Sequence, residues 1–300
     1  MLPYPAPMAS LPKASQKAPA PAYRSTSERP STVGLVSEGF RETWSRRRLI
    51  RYLVQADMKK KGANTVLGNV WWVIDPLMLM AVYVVLVTVI TQKPQPDYPL
   101  FIFAAILPWK WFTSTISDAV TSVTGQERLI KQLHFPKLVL PVASTFSGVT
   151  SFAFGLIPLA LLLIFFYSDR ISPYLLLIPV VAFVQLVLSL GLAIGVAAVN
   201  VFYRDLGNAI RHLLRLWFYL SPALYSAQQI ESLGVNNPTI SFLFSLNPFT
   251  ILFESYRNII YNGTPPLWGQ LLALLGVSVV ITCLATWGFK RLETAFAKVL

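Results

Sequence analysis

Three hundred residues, 54% of them hydrophobic and only 13% charged, with a mean hydropathy of +0.56, exclude a pair of soluble domains and leave one membrane domain with tails. The formal charge of +12 is concentrated at the start: residues 1–61 hold twelve Lys/Arg and four Asp/Glu, the remainder thirteen and nine. That is the Lys/Arg excess of the cytoplasmic side of a membrane protein rather than the footprint of a nucleic-acid binder, and the single Cys283 excludes an internal disulfide and a Cys-based zinc cluster.

Residues 1–36 are rich in Pro, Ala, Ser and Thr and hold no continuous apolar core. A disordered cytoplasmic tail is expected there, and a signal peptide is not. Residues 37–66 predict an amphipathic helix at the membrane interface. Within SEGFRETWSRRRLIRYLVQADMKKK, Phe40, Trp44, Leu49, Leu53 and Val54 fall near helical spacing. Arg46, Arg47, Arg48, Arg51, Lys59, Lys60 and Lys61 surround them, as in a helix lying in an anionic surface. Residues 67–300 predict an all-α domain of six spans. These lie near Val70–Ile90, Leu100–Val123, Leu138–Phe166, Tyr174–Val201, Ala209–Tyr225 and Leu267–Phe289, each a largely apolar run of crossing length. Arg128, Lys131, Lys137, Arg204, Lys290, Arg291 and Lys298 share the side of the basic helix; the opposite loops carry few charges, Lys93, Asp97, Asp169 and Arg170. Both termini are therefore expected in the cytoplasm. No inverted repeat relates the two halves, which argues against a repeat-built secondary transporter.

Between spans five and six, residues 226–266 are unusual. The apolar stretch Ile240–Tyr261 is interrupted at Leu246-Asn247-Pro248, and neither piece is long enough to cross. Asn247 followed by Pro248 is a helix start and Asn262-Gly263 a helix stop. Two short helices are expected, either re-entrant in the outer leaflet or lying on the outer surface.

Polar residues are scarce inside the spans, so their pattern is informative. Lys110, Ser114, Ser117, Asp118, Thr121 and Ser122 recur every three or four residues and crowd one side of the second span. Ionisable groups at membrane depth normally face a bundle interior or a water-filled cavity. Arg211 and Arg215 share a face at the start of the fifth span, with His212 between them.

Six segments, in order, carry a family resemblance: NTVLGNVWWVIDP (64–76), PLFIFAAILPWKWF (99–112), LIKQLHFPKLVLP (129–141), NVFYRDL (200–206), LWFYLSPALY (216–225) and LNPFTILFESY (246–256). Over about residues 40–295 the chain resembles the ABC-2 type permease subunits of exporters for lipid-linked polysaccharides, such as O-antigen and teichoic acid. Asp75 departs from the polar amide common there. The resemblance implies a homodimer of permeases in the bacterial cytoplasmic membrane, above two copies of an ABC ATPase subunit. ATP and Mg would sit on that partner and no cofactor on this chain, which lacks G-x-x-x-x-G-K-[ST].

The same resemblance implies roles for particular residues. Trp109, Lys110, Trp111, Ser114, Asp118, Trp217, Tyr219 and Tyr225 would form the substrate path, the aromatic rings offering surfaces on which sugars slide; each ring is equally an interface anchor. Arg211, His212 and Arg215 would receive a lipid diphosphate entering from the inner leaflet, or snorkel to lipid headgroups. Arg128, Leu129, Ile130, Leu133, His134 and Phe135 would form the ATPase-coupling segment. Glu254 and Arg257 would form a local ion pair or an outer gate.

The chain is therefore expected to conduct a glycan and do no chemistry. Three other readings stand beside this one: an ABC-2 exporter of a drug or small lipid, an ion-coupled transporter, and a membrane glycosyltransferase. The last is disfavoured by the few acids, chiefly Glu231 and Glu254, on the outward side.

Overall fold

The computed structural model describes residues 32–63, 67–91, 96–133, 135–225, 244 and 246–299. The tail before residue 32, His134 and the first of the two short helices expected between spans five and six lie outside them. Among the described residues all regular structure is helical. Among the described residues five helices are long and apolar enough to cross a membrane: Trp71–Ile90, Tyr98–Ser122, Val139–Phe166, Pro173–Phe202 and Trp268–Phe296.

The helices run in chain order as α1 (Thr32–Ser45), α2 (Arg47–Gly62), α3 (Trp71–Thr91), α4 (Tyr98–Ser122), α5 (Glu127–Gln132), α6 (Val139–Phe166), α7 (Ile178–Phe202), α8 (Leu206–Leu220), α9 (Pro248–Arg257) and α10 (Trp268–Val299). Two expectations are corrected. The single N-terminal helix is two helices, broken at Arg46 (φ −96°, ψ 20°). The expected fifth span, Ala209–Tyr225, is not a single helix of crossing length: α8 has 15 residues and by itself reaches about 22 Å against a hydrocarbon core of about 30 Å. Pro222 is the reason: a residue before proline is pushed out of the helical region, and Ser221 is extended at φ −98°, ψ 148°.

α4 is the centre of the bundle. It packs on α3, α6, α7, α8 and α9. Of its most apolar stretch 78% is buried inside the chain's own fold, against 6% for α3, so α4 is the axis and α3 lies at the edge. Two glycines let α6 approach it closely. A Cβ at Gly148 would fall 2.1 Å from Thr115 Oγ1, and one at Gly155 2.2 Å from Leu107 Cδ1. Two buried amides of α7 reach the same helix: Gln185 Nε2 donates to Pro108 O and Asn200 Nδ2 to Val120 O, both at 2.8 Å.

α9 has the boundaries its sequence predicts. Asn247 accepts from the Phe249 amide at 3.0 Å, and Pro248 occupies the first turn. A π turn over Asn258–Asn262 follows and ends at Gly263, whose φ of 64° favours glycine. Asn247 also ties α9 to the end of α8, accepting from Trp217 Nε1 at 3.1 Å and donating to Ser221 Oγ at 2.8 Å.

Asn247→Ala removes a helix cap and orphans the half-buried indole N–H, so it is expected to cost about 1–2 kcal/mol. Asn247→Asp keeps both acceptor roles and is expected to cost less. Thermal unfolding of the two purified variants checks this order; an equal melting temperature for Ala and wild type would refute the capping role.

Candidate functional site on the polar face of α4

One turn of α4 explains the geometry. Successive residues rotate by about 100°, so Trp109, Lys110 and Trp111 point three ways. Trp109 faces α8 and α9, its ring 4.7 Å from Phe249 and 5.4 Å from Phe218. Trp111 faces α6, stacked 4.7 Å from Phe152. Lys110 faces α3, where its ammonium pairs with Asp75, the side chains being 35% and 57% exposed. Lys110 is twelve residues into α4, about 18 Å along the helix.

Two turns further, Asp118 Oδ2 accepts from Lys61 Nζ of α2 at 2.7 Å and from Ser114 Oγ at 3.4 Å. Lys61 also pairs with Asp57 one turn back on α2, at 3.0 Å, and Asp57 accepts a hydrogen bond from Ser147 of α6. Two carboxylates thus share one ammonium between α2 and α4, and Ser147 ties the pair to α6. Burial acts to lower the Lys61 pKa, but Asp118 and Asp57 outweigh it, and the lysine stays charged with its pKa raised. Beside the network opens a polar cavity of about 230 Å³, lined by Asp57, Lys60, Asp118, Thr121, Ser122 and Gln126 among others.

The polar stripe read from the sequence is therefore one accessible face: Lys110, Ser114, Ser117, Asp118 and Thr121 share it, and Phe112, Ile116, Ala119 and Val120 bury the other. Of the aromatic residues expected on the path, two are buried inside the chain. Trp109 and Trp111 are 5% and 3% exposed because flanking Lys110 by 100° turns each into a neighbouring helix. Trp217 is half-buried in the Trp109 cluster, 6.3 Å away. Tyr219 is exposed, and the hydroxyl of the half-buried Tyr225 donates to its carbonyl at 3.4 Å.

Arg211, His212 and Arg215 lie exposed along α8; Arg211 Nη2 donates to Asn208 Oδ1 at 2.5 Å. In the coupling segment the expected apolar stripe divides. Leu133 and Arg128 are exposed and Leu129 is half-buried, but Ile130 turns inward to a core shared with Phe289 and Phe296, against which Phe135 also packs. Ile130 is thus not free to meet a partner. Glu127 is held below the usual carboxylate range by its hydrogen bond from Lys131, at 2.7 Å.

The expected ion pair between Glu254 and Arg257 is not formed. Arg257 is 4% exposed and donates to the carbonyls of Pro222 (2.7 Å), Ala223 (2.5 Å) and Tyr225 (3.3 Å). Its guanidinium lies 3.7 Å over the Phe101 ring. Ending α8 leaves carbonyls without helical partners, and Arg257 supplies donors to that turn rather than standing at an open mouth. Sequence reasoning read Lys61 only as a surface charge and missed Asp57 and Ser147. The i,i+4 spacing of Asp57 and Lys61 was the available signal; their partners on α4 and α6 are remote in sequence.

Residues 48–261 match the model of a family described as ABC-2 type transporter. The chain is 33% identical over 258 residues to the O-antigen export system permease protein RfbA of Myxococcus xanthus, covering 86% of this chain and 97% of that protein. A Klebsiella pneumoniae protein of the same name is 27% identical over 254 residues, covering 84% and 95%. Another from Klebsiella pneumoniae is 25% identical over 253 residues, with the same coverage. All the polar-face residues fall inside the matched region.

Lys110→Glu sets two carboxylates together beside α3 and is expected to lower the melting temperature; the reversed pair with Asp75→Lys is expected to recover it. The coupling energy from the double-mutant cycle should be about 0.5–3 kcal/mol, and a value of zero would mean that the two side chains do not interact.

Proposed function

The chain belongs to the ABC-2 type transporter family, and on that premise we propose that it is the membrane permease subunit of an ATP-driven exporter carrying a lipid-linked polysaccharide, of the O-antigen kind, across the bacterial cytoplasmic membrane. The names of its relatives support the cargo. The observation that carries the reading is the half-exposed Asp75–Lys110 pair. A pair that open would be costly against lipid tails, so the α4 face beside α3 meets water or a second protomer.

The polar face suits a hydroxyl-rich polymer. Ser114, Ser117 and Thr121 offer weak, replaceable hydrogen bonds along one line, while Lys110 is held by Asp75 and Asp118 by Lys61 within the protein, so neither has to grip the sugar. Arg211 and Arg215 stand exposed and form no ion pair among the described residues. Their guanidinium forks match a diphosphate entering from the inner leaflet.

The assembly that fits this reading is a homodimer with two ABC ATPase subunits, which hold the ATP and Mg. The loop charges favour cytoplasmic termini. α1 and α2 would lie in the membrane surface, α8 with the turn after it would complete a sixth crossing, and α9 would be re-entrant. Exposed Leu133 and Arg128 would face the ATPase. Movement there has two routes inward: through Ile130 to the Phe289–Phe296 core of α10, and through the Lys61–Asp118 bridge from α2 to α4.

Purifying the tagged chain in mild detergent and analysing what accompanies it by mass spectrometry tests the proposal. A stoichiometric P-loop ATPase with a polyprenyl-diphosphate glycan is expected; a dimer with no ATPase, even after crosslinking through residues 126–137, would overturn it. Arg211→Ala and Arg215→Ala should each weaken stimulation of ATP hydrolysis by the lipid-linked glycan about tenfold, as loss of a charge-assisted hydrogen bond implies.

A further inference from the structure

A cleft of about 590 Å³ separates the N-terminal helices from the spans, within the range of small-molecule sites. Its floor is apolar, formed by Val142, Phe146 and Val149 of α6 with Leu190 and Ile194 of α7. Its rim is cationic: Arg47 and Arg51 lie one turn apart on α2 and both line it. Neither arginine forms an ion pair among the described residues, although acids are near in sequence. Glu42 is engaged by Lys290 at 2.6 Å, and Asp57 by Lys61 at 3.0 Å. Thr286 of α10 also lines the cleft; it is buried, and its Oγ1 has no hydrogen-bond partner. No residue of α3, α4 or α8 contributes, so the cleft is separate from the polar face and from Arg211 and Arg215.

We infer that this cleft binds one anionic glycerophospholipid of the cytoplasmic leaflet, its acyl chains against α6 and α7 and its phosphate between Arg47 and Arg51. Charge complementarity selects the ligand. Two guanidinium forks without carboxylates call for an anion, and the apolar floor calls for a long hydrocarbon tail on the same molecule. Trp44 at the mouth is an interfacial residue suited to the glycerol level. Such a lipid would splint α1 and α2 onto the spans and make their position depend on the charge of the leaflet.

The test uses the full chain, purified in mild detergent, stripped of lipid and offered equal amounts of phosphatidylglycerol and phosphatidylcholine before native mass spectrometry. One phosphatidylglycerol per protomer is expected, favoured about tenfold, as a charge-assisted contact implies. The double variant Arg47→Ala with Arg51→Ala should lose that preference. Arg46→Ala with Arg48→Ala removes the same charge from exposed positions outside the cleft and should keep it. Equal retention of the two lipids by the wild type, or equal loss of preference in both double variants, overturns the inference. So does a polyprenyl-diphosphate glycan retained by the wild type and lost on removing Arg47 and Arg51, which would make the cleft a cargo site. The inference rests on the membrane-surface position proposed for α1 and α2. Spin labels at Trp44→Cys and Phe146→Cys, each with Cys283→Ala, in bilayers separate the two failures: water contact at position 44 overturns both, whereas shielding at both positions without lipid preference overturns the inference alone.

Discussion

An ammonium about 18 Å along a membrane-spanning helix has to meet something other than hydrocarbon, and the bundle is organised around that requirement at Lys110. α4 cannot be apolar all round, so it cannot sit at the lipid boundary. It is enclosed by helices on its apolar side and left accessible on its polar side. Asp75 on α3 then holds the cation at the open edge. Trp109 and Trp111, on either flank of the lysine, become packing residues, and Phe249, Phe218 and Phe152 gather round them. α9 belongs to this enclosure as well, since Phe249 and Phe253 both reach the Trp109 ring.

Closing the apolar side takes close approach rather than hydrophobic drive, because lipid tails are as apolar as leucine. Gly148 and Gly155 bring α6 against α4, leaving no room for a methyl group. Gln185 and Asn200 fasten α7 to α4 at two levels. Gly191 likewise lets α7 meet α10, where a Cβ would fall 2.7 Å from Thr282 Oγ1. At one end of the bundle, Arg170 of the loop after α6 reaches Asp97 at 2.7 Å and lies over the Tyr261 ring, joining the ends of α6, α4 and α9 at a place where the sequence offers only sparse loop charges.

Features set by local chemistry were legible in advance. The caps at Asn247-Pro248 and Gly263, the polar stripe of α4 and the long apolar runs all follow from neighbours within a few residues. The stop of α8 was legible too, in Ser221-Pro222, but an apolar count carried the expected span past it to Tyr225. Other features depend on which helix stands at a given angle around α4, and one chain's spacing does not encode that. So Trp109 was assigned to a path and lies in a core. Arg257 was matched to the acid one turn away, although its partners are carbonyls more than thirty residues back. The Lys61–Asp118 bridge spans 57 residues, and half of it lies in a helix read only for its surface charge.

The tight glycine seam has a mechanical meaning. α4, α6, α7 and α10 interlock at contacts with no spare volume, so relative sliding there would need backbones to separate, and that block is stiff. α3, with 6% of its apolar stretch buried, and α8, ended early by a proline, have far less to break. Compliance in this bundle is therefore concentrated at one edge, the edge that carries Asp75. On the proposed function, opening a path wide enough for a sugar chain would mean peeling a thin leaf from a rigid wall, and the residue that would leave with the leaf is Asp75, the counter-ion of Lys110.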